Sequence, residues 1–181
     1  MTEKKNKVFI ATSLDGFIAD KDQGIEWLNS FPEINEVDTG YEAFISKIDA
    51  LVMGRTTFET VLNFGIEWPY KKPVFVLSNR LKKVPDELSG SVQLVRGTLD
   101  EILKQIHNQG HHNLYIDGGK TIQSFLKEEL IDEMVITTIP ILLGSGIPLF
   151  GELSKPLKFK CIETTLFFDK VVQNRFLRFE N

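Results

Sequence analysis

Apolar residues in this chain follow two rhythms, short unbroken runs and stripes at helical spacing, and through the middle of the sequence the two alternate. Val8-Phe9-Ile10-Ala11-Thr12-Ser13-Leu14 reads as a first strand, and Asp15-Gly16 closes it with a pair favoured in turns. A loop carrying Trp27 follows. Tyr41, Phe44, Ile45 and Ile48 then recur at helical spacing, with Asp38 as the natural N-cap of the helix they predict. Leu51-Val52-Met53 is a buried-strand run, and Phe58, Val61 and Leu62 mark a helix that begins near Arg55. Pro73 to Ser78 and Val92 to Val95 are further short strands. Thr98-Leu99-Asp100-Glu101 is a capping box that opens a helix carrying Leu99, Ile102, Leu103 and Ile106, and Gly110 closes it. Asn113 to Asp117 is a strand, Gly118-Gly119 a turn, and Ile122, Phe125 and Leu126 the stripe of the next helix.

Strand and helix alternating in this way predict a mostly parallel sheet covered by helices. The last third changes character: Glu133–Pro140, Leu157–Phe168 and Val171–Phe179 are long and β-rich, and the turn Phe168-Asp169-Lys170 joins the last two. These segments predict antiparallel strands at one edge of the sheet. The expectation is a three-layer α/β domain with a mixed, mostly parallel sheet, occupying residues 1–181 as a single unit with no repeat or linker.

Charge narrows the function. Lys plus Arg number 21 against 25 for Asp plus Glu, a net charge of −4 with the basic residues scattered, which argues against a nucleic-acid groove. The single cysteine, Cys161, lies in an alternating, strand-like stretch, without a second cysteine for a disulfide or a metal motif, and reads as a core or strand filler. His107, His111 and His112 read as solvent-exposed, without metal-ligand spacing. The polar N-terminus lacks the apolar region of a signal peptide, and no apolar run approaches the roughly 20 residues of a membrane span. A soluble, cytoplasmic protein without membrane or nucleic-acid partners is expected.

Three strand ends carry groups suited to phosphate: Gly54-Arg55-Thr56-Thr57, Ser78-Asn79-Arg80 and Asp117-Gly118-Gly119-Lys120-Thr121. A helix N-terminus presents unpaired N–H groups and a partial positive charge, and a guanidinium or hydroxyl beside it adds charge and donors. In an open parallel sheet ligands bind beyond the carboxyl ends of the strands, so the three motifs can line one cleft. Two arginines with two glycine-opened helices suit a dinucleotide carrying a further phosphate, which favours NADPH over NADH. The fingerprint G-x-G-x-x-G is absent after the first strand.

Ser13-Leu14-Asp15-Gly16, Trp27, Val52-Met53-Gly54-Arg55-Thr56-Thr57, Leu77-Ser78-Asn79-Arg80, Asp117-Gly118-Gly119 and Pro140-Ile141-Leu142-Leu143-Gly144-Ser145-Gly146, in this order, resemble the dihydrofolate-reductase-like superfamily. The resemblance is closer to the reductase domain of the bifunctional riboflavin-biosynthesis deaminase-reductase and its stand-alone bacterial relatives. It implies an NADPH-dependent reductase passing hydride to a small pyrimidine- or pterin-like compound, similar to 5-amino-6-(5-phosphoribosylamino)uracil reductase. Carried over by position, Gly54, Arg55, Thr56 and Thr57 with Ser78, Asn79 and Arg80 would hold the adenosine ribose and its 2′-phosphate. Gly118, Gly119, Lys120 and Thr121 would cradle the pyrophosphate. Ala11, Asp15 and Trp27 would surround the nicotinamide and the substrate mouth, with Asp117 close to the reacting groups. Asp15-Gly16 also reads as a simple turn and Trp27 as a core anchor. Asp38, counted back from Gly54, falls where a dihydrofolate reductase places its pterin-binding carboxylate, and it stands equally as a helix N-cap.

The chain also departs from these families' patterns. Gly24-Ile25-Glu26-Trp27-Leu28-Asn29 lacks the prolines that flank the tryptophan of a folate enzyme, and the zinc-deaminase motifs H-x-E and P-C-x-x-C do not occur. Dihydrofolate reduction and a non-catalytic nucleotide-binding role remain as alternative readings. The β-rich C-terminal edge needs cover, which a homodimer would supply.

Overall fold

The computed structural model describes residues 3–179. In chain order, β1 (Lys5–Ser13), β2 (Phe17–Ala19) and α1 (Tyr41–Ile45) precede β3 (Ala50–Gly54), α2 (Arg55–Leu62), β4 (Val74–Leu77) and β5 (Val92–Val95). Then come α3 (Leu99–Asn108), β6 (Asn113–Asp117), α4 (Gly119–Lys127), β7 (Glu133–Ile139), β8 (Ile147–Pro148), β9 (Phe159–Phe167) and β10 (Val171–Arg178).

The scaffold follows from strands that are apolar on both sides. In β3, Ala50, Leu51, Val52 and Met53 are all fully buried, and successive side chains of a strand point to opposite faces. Ala50 and Val52 therefore enter one core while Leu51 and Met53 enter another. Such a strand needs cover on both faces, which crossover helices provide in parallel sheets. α3 and α4 cover the first face, placing Ile102, Ile106, Ile122 and Phe125 against Val52, Phe75 and Ile116. On the other face Phe58 of α2 and the partly buried Tyr41 and Phe44 of α1 meet Leu51, Met53 and Tyr115. Each fully buried side chain of this size contributes about 1.5–3 kcal/mol relative to an exposed one.

Eight strands form one sheet in the order β5-β4-β3-β6-β1-β7-β10-β9. From β5 to β7 the pairings are parallel, and β10 runs antiparallel to both β7 and β9. This is the mixed sheet with antiparallel C-terminal strands that the hydrophobic pattern indicates. β2 and β8 pair separately as a short antiparallel ribbon. The same pattern locates α2, which starts at Arg55, and α3, whose Thr98–Glu101 capping box is formed in both directions.

Other expectations need correction. α1 is five residues long, and its N-cap is Gly40, in the left-handed region at φ 87, rather than Asp38. Asp38 is exposed, and its Oδ1 accepts a hydrogen bond from the Gly40 N–H at 2.8 Å, so the carboxylate caps the turn before the helix instead. The loop around Trp27 is two one-turn 3-10 helices, Glu26–Ser30 and Pro32–Glu36. The three histidines are half-buried instead of solvent-exposed. His107 Nδ1 lies 2.8 Å from the His111 carbonyl, and the His111 ring meets Phe75 edge-on. Cys161 lies on a strand as its alternating surroundings indicate, but exposed on β9, the edge strand, rather than in the core. Among the described residues no helix is long and apolar enough to cross a membrane.

Candidate active site

The carboxyl ends of β3, β4, β5 and β6 open into a cleft of about 1010 Å³ that also reaches β1, β2 and the segment after them. At its centre β3 and β6 are neighbours, with Met53 opposite Asp117. The next residues, Gly54 and Gly118, thus begin α2 and α4 side by side, and both helices lack a side-chain cap. Their first-turn N–H groups face the cleft without an internal acceptor, which gives it a partial positive charge.

The two helix starts are built against each other. A Cβ on Gly118 would fall well inside contact distance of Thr57 Oγ1, and one on Gly54 would lie 2.9 Å from Thr121 Oγ1. Gly118 also has φ 89, a conformation that other residues adopt only with strain. Only glycine at both positions lets the two strand–helix turns approach this closely.

Among the described residues, four cations line the cleft: Lys21, Arg55, Arg96 and Lys120. Arg55 reaches one turn along α2, where its Nη1 donates to both carboxylate oxygens of Glu59 at 2.8 and 2.6 Å. Arg96, at the end of β5, donates from Nε to the Ser78 carbonyl at 3.2 Å and from Nη2 to the Leu81 carbonyl at 2.8 Å. These bonds fix its guanidinium beside Ser78 and Leu81. Arg80 is exposed and does not line the cleft; Ser78 Oγ accepts the Arg80 and Leu81 N–H groups and turns the chain there. Arg96 is thus a cleft residue that the sequence reading misses. The signal for it is an arginine beside a glycine after a short strand, the same pairing of residue types as in Gly54-Arg55.

Asp117 lies between the two helix starts. The residue is half-buried at the wall of the cleft, and burial pushes its pKa up to about 6, against the pull of the Gly118 N–H that donates to Oδ1 at 2.8 Å. Tyr70 lines the cleft nearby, its phenol pushed well up by burial and then by the Asp117 charge. Tyr41 is raised for the same two reasons. Tyr115 is already engaged, donating to the Phe9 carbonyl at 2.8 Å.

The remaining candidates divide. Ala11, Thr56, Thr57, Gly119, Lys120 and Thr121 line the cleft together with Gly54, Arg55, Ser78, Asn79, Asp117 and Gly118. Asp15, Trp27 and Asp38 do not. The Asp15 carboxylate accepts from Ser13 Oγ at 2.6 Å and from the Leu143 and Gly144 N–H groups at 3.1 and 2.7 Å, fastening the loop after β7 to the end of β1. The Ser13 hydroxyl, followed by those two N–H groups, holds its pKa below the usual carboxylate value. Trp27 packs into a small core with Ile139 and Val171, and its indole N–H is buried without a partner among the described residues. Its neighbour Leu28 is the residue that reaches the cleft.

The architecture recurs in solved structures. A Shewanella sp. PV-4 protein, described provisionally as a riboflavin biosynthesis protein, is 53% identical, with a TM-score of 0.93 over 97% of this chain and 99% of that one. The Thermotoga maritima diaminohydroxyphosphoribosylaminopyrimidine deaminase/5-amino-6-(5-phosphoribosylamino)uracil reductase superposes with a TM-score of 0.71 at 16% identity, over 98% of this chain and 57% of that one. Dihydrofolate reductase from Enterococcus faecalis, in a complex with NADP(H), gives 0.66 at 17% identity over 97% of each chain. Both of the latter show the shared fold. The family model described as the RibD C-terminal domain matches residues 6–172. A dihydrofolate-reductase-like sheet with that match over nearly its whole length makes this chain a member of the RibD C-terminal domain family.

Proposed function

We propose that this chain is an NADPH-dependent reductase acting on a small pyrimidine- or pterin-like compound. The observation that carries the reading is the pair of uncapped helix starts, at Gly54 and Gly118, flanking a carboxyl whose pKa is raised to about 6. The donor set fits the cofactor. The free N–H groups of α2 and α4, with Thr57, Lys120 and Thr121, suit the pyrophosphate. Arg55 and Arg96, with Ser78 and Asn79, suit the 2′-phosphate, for which a guanidinium is matched and a carboxylate is not. Ala11 and Ile18, which line the cleft on the β1 side, suit the nicotinamide. Bound there, NADPH would supply the hydride.

The protein's own part is to bind, to exclude water and to deliver a proton. Asp117 is the group we assign to deliver it, since it lines the cleft and its carboxyl carries the proton below about pH 6. Linkage runs in the same direction. A carboxyl whose folded pKa lies above its unfolded value favours the protonated folded state, so its contribution to stability grows as pH falls from about 6 toward the ordinary carboxylate range, and the ionised form costs stability above it.

The test is the pH dependence of turnover. With Asp117 as the acid, kcat/KM is level below about pH 6 and falls roughly tenfold per unit above it. Asp117→Asn removes that break and lowers the rate. A break near pH 6 that persists in Asp117→Asn assigns the proton to another group.

A further inference from the structure

The three tyrosines of the chain, Tyr41, Tyr70 and Tyr115, all pack in the core on the α1 and α2 side of the sheet. Alternation along β6 sends Leu114 and Ile116 to the opposite core, so Tyr115 and, two residues on, Asp117 face this side. The Asp117 charge is felt by each of the three phenols.

Their hydroxyls are placed differently. Tyr115 donates to the Phe9 carbonyl at 2.8 Å. Tyr41 lies off the cleft, its ring edge-on to that of Phe9 with centroids 5.5 Å apart. Tyr70 lines the cleft, and its hydroxyl has no hydrogen-bond partner among the described residues.

Tyr70 belongs to the segment between α2 and β4, and a row of rings holds it there. Trp68 packs edge-on against Phe58 of α2 with centroids 5.6 Å apart, and Tyr70 packs edge-on against Trp68 at 5.1 Å. Phe58 is fully buried, so the row ties Tyr70 to the core. Pro69, between Trp68 and Tyr70, restricts the backbone further. A phenol held in this way meets a ligand with little further loss of freedom.

Burial, and after it the Asp117 charge, push the Tyr70 phenol well up in pKa, so the hydroxyl keeps its proton through the neutral range and is a permanent donor. Asp117 differs, since it changes from donor to acceptor near pH 6. A donor without a partner at a cleft wall favours a ligand that brings an acceptor.

We infer that Tyr70 anchors the substrate by donating a hydrogen bond from its hydroxyl to a carbonyl oxygen of the heterocycle, so that the cleft favours oxo-substituted rings over their amino counterparts. The inference rests on the reductase reading above and adds to it the group that orients the ring beside Asp117.

The experiment is a calorimetric titration of the whole chain saturated with NADP+, which binds without turnover, with wild type and Tyr70→Phe compared. The probes are 5-amino-6-(5-phosphoribosylamino)uracil, 6,7-dimethylpterin and 2,4-diamino-6,7-dimethylpteridine, in which an amino group replaces the pterin carbonyl. Tyr70→Phe keeps the ring against Trp68 and removes a hydroxyl that binds nothing within the chain, so the unfolding midpoint and the NADP+ affinity are expected to stay the same. Affinity for the two oxo compounds is expected to fall about five- to tenfold, the scale of one hydrogen bond, and that for the diamino compound by less than about twofold. Equal losses for all three probes, no loss for the oxo compounds, or no binding of either oxo compound overturns the inference. A lower unfolding midpoint would place the hydroxyl in a bond within the chain and overturns it as well. Tyr41→Phe removes a hydroxyl off the cleft that feels the same Asp117 charge, and it is expected to leave the three affinities unchanged. A loss in Tyr41→Phe equal to that in Tyr70→Phe would trace the effect to the surroundings of Asp117 and overturn the assignment to Tyr70. Failure of NADP+ itself to bind counts against the reductase reading instead, and the same comparison on the protein alone still decides the inference.

Discussion

The start of α3 and the starts of α2 and α4 solve the same problem in opposite ways. Each helix leaves N–H groups without partners in its first turn. At α3, Thr98 Oγ1 accepts from the Glu101 N–H at 3.3 Å while Glu101 Oε2 accepts from the Thr98 N–H at 2.8 Å, so the helix answers its own need. At α2 and α4 the N-cap is glycine, no side chain among the described residues caps the helix, and hydroxyls and cations stand around the opening. One chain thus holds a helix closed to anions and two helices open to them. The open pair faces the cleft, where the proposed cofactor's phosphates would supply the missing acceptors.

The open pair is most vulnerable at Gly118. Gly118→Ala adds a methyl group against Thr57 Oγ1 and forces alanine to φ 89. The expected cost is roughly 2–4 kcal/mol of stability, read by chemical denaturation, with loss of NADPH binding. Thr57→Ala in that background should return part of the loss, since it removes the clash but not the backbone strain. A Gly118→Ala protein of wild-type stability would mean that the two helix starts are not packed as described.

Arg96 and Arg80 extend the contrast to the cofactor end. Arg96→Ala should weaken NADPH by about 1.5–3 kcal/mol, the scale of a charged hydrogen bond, and leave NADH nearly unchanged. Arg80→Ala, at an exposed position outside the cleft, should change neither by more than about 0.5 kcal/mol. Parallel titrations of the two variants decide between the arginines. A reversed order would move the 2′-phosphate site to the β4 end. The smallest effect belongs to the closed helix: Thr98→Ala should cost about 1 kcal/mol of stability while NADPH affinity stays the same.

How far the sequence discloses this molecule depends on the range of the physics involved. The β3–α2 unit and α3 are legible because runs, stripes and capping pairs act within a few residues of one another. The strand ends that gather in the cleft are legible in part, because Gly54, Asp117 and Gly118 follow apolar runs whose parallel pairing is itself predictable. Arg96 and Arg80 are harder to tell apart. Both follow short strands, and the three-dimensional path after β4, where Ser78 Oγ turns the chain, decides which guanidinium enters the cleft. Asp38 shows the same limit, since the left-handed Gly40 takes over the start of α1. The raised pKa of Asp117 comes from burial that only the folded chain produces, so a strand-ending Asp-Gly alone does not reveal it. Trp27 reads as either anchor or site residue until its packing against Ile139 and Val171 is visible.

The open helix starts are tested by a parallel titration of the purified protein with NADPH and NADH, followed by intrinsic fluorescence. Trp68 is a suitable reporter, because its ring lies 5.1 Å from that of Tyr70, which lines the cleft. Saturable quenching is expected, with NADPH bound at least tenfold more tightly than NADH, the factor that about 1.4 kcal/mol from the 2′-phosphate would produce. Equal affinities would contradict the role given to Arg55 and Arg96, and no binding of either would contradict the reading of the cleft as a dinucleotide site.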